Sequence, residues 1–119
     1  MRKPEIIYHK GKEIIFLDYS NMKDPNEIIQ LIQDGSALIR KKPANSVLSL
    51  VSIENMFFNN KVRNELQSNV KLNNPHVKKS VVYGLNGLIL LMYNSFLRFT
   101  GRKMKSVKTQ EEALEYLVS

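Results

Sequence analysis

Four groups of residues in this chain have types and spacing that could do chemistry. Asp18 and Ser20 bring a carboxylate and a hydroxyl together at the end of an apolar run. A nucleophilic serine also needs a base, and the chain offers two histidines, His9 and His76. Gly84-Leu85-Asn86-Gly87 falls at a strand-to-helix turn, where free N–H groups can meet an anion. It matches neither G-x-G-x-x-G nor a P-loop, whose lysine and hydroxyl are absent, and its alternative is a tight turn that seats a helix on a sheet. Asn59-Asn60-Lys61, with Arg63 close by, marks a second helix N-terminus where an anionic group on a partner could dock. The fourth group is apolar. A helix expected over residues 85–99 carries Leu85, Leu88, Ile89, Met92, Phe96 and Phe99 as its core stripe. Leu90, Leu97 and Tyr93 fall on another face, which predicts a homodimer or partner contact unless Leu114 and Leu117 of the last helix cover it.

The elements that position these groups follow from breakers and periodicity. Residues 5–9 (EIIYH) and 13–19 (EIIFLDY) are β-rich and separated by Lys10-Gly11-Lys12, the pattern of a hairpin. The first is the less apolar and is expected at the sheet edge. Asp24 and Pro25 start a helix in which Ile28, Leu31, Ile32 and Ile39 recur at helical spacing up to Lys41-Lys42. Gly35 inside it either lets the helix lie close to the sheet or breaks it. Residues 46–53 are almost continuously apolar, as in a strand buried on both faces. Val62, Leu66 and Val70 then form one apolar stripe on an otherwise wet helix that stops at Asn73-Asn74-Pro75. Residues 77–83 (VKKSVVY) are the next strand, and Thr100-Gly101 closes the apolar helix. Residues 103–108 make a weak, half-polar edge strand. Thr109 with Glu112 is a capping box opening the final helix.

The order is β-β-α-β-α-β-α-β-α, an α/β fold with a mostly parallel sheet, an antiparallel N-terminal edge strand and helices packed on the sheet. One domain over residues 1–119 is expected, with no repeat or linker. In this topology Asp18 and Ser20 fall at the C-terminal edge of the sheet, beside Glu54-Asn55 and Asn86, where α/β folds place ligand sites. His9 and His76 fall at the opposite edge. A triad on Ser20 would then lack its base, and a metal site would lack a carboxylate cluster near either histidine.

Composition narrows the rest. There is no cysteine, hence no disulfide framework and no thiolate zinc site. Lys+Arg of 18 against Asp+Glu of 11 gives +7, but the cations are spread along the chain. That suits a solvated basic surface and gives nucleic acid nonspecific attraction at most. Arg98, Arg102, Lys103 and Lys105 beside the apolar stripe could instead meet an anionic membrane surface, or sit as cations against a helix dipole. The N-terminus has no apolar core of signal-peptide length, so a soluble, cytoplasmic protein is expected.

An N-terminal hairpin followed by three strand–helix units resembles the STAS domain, the fold of the anti-sigma-factor antagonists. Three phrases look like a bacterial branch of it: Phe16-Leu17-Asp18-Tyr19-Ser20, Lys42-Pro43-Ala44-Asn45-Ser46-Val47-Leu48 and Phe99-Thr100-Gly101-Arg102. The resemblance covers nearly the whole chain. In regulatory members of that family, the turn after the third strand carries Asp-Ser and the serine is phosphorylated. The matching turn here is Phe57-Phe58-Asn59-Asn60-Lys61, without a hydroxyl. The resemblance therefore implies a non-catalytic protein-binding or regulatory module without the phospho-serine switch and without a cofactor. STAS folds also look like the Sec14 lipid carriers in outline, so the alternatives are a small-ligand, lipid or membrane-surface binder, or a small enzyme. The residues assigned to partner or ligand contact are Asp18, Ser20, Asn59, Asn60, Lys61, Asn86, Leu90 and Leu97.

Overall fold

The computed structural model describes residues 2–84 and 104–119. Strands β1 (Glu5–His9) and β2 (Lys12–Asp18) pair antiparallel from Glu5↔Phe16 to His9↔Lys12. Lys10 and Gly11 between them both have positive φ, 50° and 78°, as a type I′ turn requires to match the strand twist. The sheet then runs in chain order, β1-β2-β3-β4-β5, through β3 (Val47–Ser52), β4 (Val77–Tyr83) and β5 (Lys105–Val107). All pairings after the hairpin are parallel. The expected strands at 13–19, 46–53 and 103–108 are each present but displaced or trimmed by a residue or two, as strand ends give way to loop bonds.

Helix α1 (Pro25–Arg40) starts where expected: Asp24 Oδ1 accepts from the Asn26 N–H at 2.9 Å, and Pro25 occupies the first turn. It runs unbroken through Gly35. A Cβ there would lie 2.7 Å from Leu17 Cδ2, so the glycine is what lets α1 lie directly on β2. Helix α2 (Asn60–Asn73) is opened by Asn59, whose side chain accepts from the Val62 N–H at 2.9 Å. One 3-10 turn, Asn74–His76, feeds β4. Helix α3 (Gln110–Val118) is opened by Thr109, whose Oγ1 accepts from the Glu112 N–H.

Two cores lie on the two faces of the sheet. On one, Ile15, Leu17 and Val47 meet Ile28, Leu31 and Ile39 of α1 and Val62 of α2. On the other, Ile14, Leu48, Leu50 and Val81 meet Ala113 and Leu117 of α3. Strand β3 supplies both, which explains its unbroken apolar run. A buried bond from Asn73 Nδ2 to Ser36 Oγ, 3.0 Å, ties α2 to α1 inside the first core. The expected helix over 85–99 lies outside the described residues, and no described helix is long and apolar enough to cross a membrane.

Candidate functional site at the C-terminal edge of the sheet

Parallel strands β2, β3 and β4 end together, and the turns that leave them are bonded to one another. Tyr19 N–H donates to the Ser52 carbonyl at 2.9 Å, and Ile53 N–H to the Tyr83 carbonyl at 3.1 Å. These bonds carry the ladder past the strand ends. Asn21 N–H then donates to the Glu54 carbonyl at 2.9 Å, and Phe57 N–H to the Met22 carbonyl at 2.8 Å. Side chains repeat the linkage: Asn55 Nδ2 donates to Asn21 Oδ1 at 2.8 Å, and Lys23 Nζ to the Asn55 carbonyl and Oδ1 at 2.7 and 3.0 Å. Asn21 and Asn55 both sit at positive φ, 61° and 55°, a conformation asparagine tolerates better than most residues.

Asp18 and Ser20 share one of these turns. Asp18 Oδ1 accepts from the Ser20 N–H at 3.0 Å. Arg2 closes it, donating to the Asp18 and Ser20 carbonyls at 2.9 and 2.6 Å, with its guanidinium 3.8 Å from the Asp18 carboxylate. Nothing in the sequence pattern pointed to Arg2, since the contact spans the length of the hairpin. Tyr83 completes the cluster. Burial pushes its hydroxyl pKa up, the Asp18 and Glu54 carboxylates add to that, and a hydrogen bond with Ser52 opposes it. Burial likewise raises Tyr19.

Gly84 follows Tyr83 with φ 91°, and a Cβ there would lie 2.6 Å from the Glu54 backbone nitrogen. Only glycine lets β4 end this close to the β3 turn. The rest of the Gly84-Leu85-Asn86-Gly87 turn lies outside the described residues. Asn86, Leu90 and Leu97 lie outside the described residues. Asn59 sits at the start of α2 with its side-chain oxygen committed to the helix cap, while Asn60 and Lys61 are exposed in the first turn.

Both histidines lie at the other end of the strands. His9 pairs with the first residue of β2, with its Nε2 3.1 Å from Glu115 Oε1, and His76 Nδ1 lies 2.8 Å from the Lys42 carbonyl. Neither reaches Ser20. Among the described residues no group of three or more His, Asp or Glu is placed to hold a metal ion. Among the described residues, the edge is a hydrogen-bonding surface built from the turns after β2 and β3.

Comparison with known proteins finds no family model, no curated protein and no solved structure that matches the chain. What the fold defines is a class: an α/β protein with a five-stranded mixed sheet and helices on it.

Proposed function

We propose that this chain is a cytoplasmic, STAS-like binding or regulatory module, non-catalytic and without a phospho-serine switch, that docks a protein partner on the C-terminal edge of its sheet. One observation carries the reading: the turns after β2 and β3 are cross-bonded through Asn21, Lys23 and Asn55 into one rigid platform with no histidine near it. A preformed surface of this kind loses little entropy on binding. The element order, an N-terminal hairpin leading into strand–helix units, supports the STAS-like part.

The test is capture of partners by the tagged chain from lysate of the source organism, with nuclease and high salt. A single stoichiometric protein is expected on the native chain and absent with Lys23→Glu, Asn60→Arg, two exposed changes on the platform. Undiminished capture by that variant overturns the assignment of the edge. Capture of nothing by the native chain speaks against a protein partner.

A further inference from the structure

The opposite edge of the sheet holds a cavity of about 270 Å³ where β2, β3 and β4 begin and α3 ends. Its floor is apolar, with Ile15, Val47 and Leu117 of the two cores reaching into it. Among the described residues, its wall carries Lys12, Lys42, Lys78 and Lys79 and, as the one carboxylate side chain, Glu13. Lys42 is paired with Glu13 at 3.0 Å. Lys79 is held by the main-chain oxygen of Ser119, the last residue, at 2.8 Å, by its hydroxyl at 3.3 Å and by the Tyr116 carbonyl at 3.3 Å, with the Tyr116 ring 5.2 Å away. Those contacts fix its position. Four lysines against Glu13 and the terminal oxygens of Ser119 leave the wall net positive.

A second feature points to the same place. The β3–β4 ladder slips here: Val47 pairs with Val77 but Leu48 with Lys79, so Lys78 is an extra residue in β4. Bulges of this kind re-aim a side chain and recur beside binding sites. Lys78 is thereby freed from the ladder at the cavity wall, beside Lys79. Like charges gathered in a cleft repel one another and focus a positive potential, which an anion relieves. Lysine serves such a ligand as a point charge, and phosphate is its usual match.

We infer that this cavity binds a phosphate group carried on a compact, partly apolar body, at a site distinct from the partner edge. The volume suits a small phosphomonoester, and the apolar floor would take the attached carbon skeleton. The test is an NMR titration of the full chain with inorganic phosphate, with glycerol 3-phosphate, and with vesicles of phosphatidylcholine with or without phosphatidic acid. Saturable shifts at Lys12, Ser46, Lys78 and Lys79 with glycerol 3-phosphate are expected, weaker with inorganic phosphate. Lys12→Gln, Lys78→Gln, both exposed positions, should weaken binding at least tenfold, while Lys105→Gln, Lys108→Gln, which removes equal charge elsewhere, should not. Binding only to phosphatidic acid vesicles assigns the phosphate to a lipid headgroup. Shifts that do not saturate, or that fall equally in both variants, overturn the site.

Discussion

The two ends of this sheet are built from different physics. At the C-terminal end, backbone amides, asparagines and a glycine interlock at close range, and the charged Arg2 and Lys23 donate to main-chain carbonyls. At the N-terminal end, the β1–β2 hairpin meets α3 through Lys10 and His9 with Glu115, and β2 meets the segment after α1 through the Lys42–Glu13 ion pair. The first end is defined by shape and the second by charge. Shape is insensitive to salt and intolerant of added atoms. Charge between exposed groups is tolerant of substitution and screened by salt.

The difference is tested most severely at glycine. Gly84→Ala forces a Cβ to within 2.6 Å of the Glu54 backbone nitrogen at φ 91°, where the neighbour is main chain and cannot swing away. Left-handed strain and overpacking together should cost about 2–4 kcal/mol. Gly11→Ala shares the strain, φ 78°, but its Cβ would meet nothing within 4 Å. It should cost about 1 kcal/mol. Urea denaturation of the two variants measures both, and equal losses would show that close approach at the C-terminal edge contributes nothing.

A smaller effect is expected at Asn59, the residue that opens α2 on the same edge. Its Oδ1 accepts from the Val62 N–H, so Asn59→Ala leaves a helix donor unpaired at a cost of about 1 kcal/mol. Asn59→Asp should restore it, with the added charge favourable at a helix N-terminus. If alanine and aspartate are equally destabilising, the cap is not what holds the turn.

What was legible in the sequence divides along the same line. Strands, helices and caps rest on local signals, and Asp24-Pro25, Thr109 and the Val62–Leu66–Val70 stripe each locate an element within a residue or two. The topology then follows, and it places both histidines away from Ser20. The Gly35 question could not be answered locally, because its answer is Leu17 on another element. The same holds for Arg2 and for the Asn21–Asn55 bridge, whose partners are 16 to 34 residues apart. The lysine cavity was read as dispersed charge. Lys12, Lys42 and Lys78 are far apart in the chain, and it is the parallel register that starts three strands at one place.

The smallest effect belongs to the charged end. Lys10 first and His9 second hydrogen-bond to Glu115 and hold its pKa below the ordinary glutamate value. A carboxylate whose folded pKa is depressed favours the native state above its unfolded pKa, and that contribution disappears as pH falls through the folded value. The hairpin-to-α3 contact should therefore loosen only in acid. A carbon-detected titration should place Glu115 below the ordinary glutamate value in low salt, with the shift shrinking in high salt, because the contact is solvent-accessible. Lys10→Ala should raise the Glu115 midpoint more than His9→Ala does, following the order of the two contributions. A Glu115 midpoint in low salt that neither Lys10→Ala nor added salt moves would mean the contacts do not persist in solution, and the hairpin would then meet α3 through apolar packing alone.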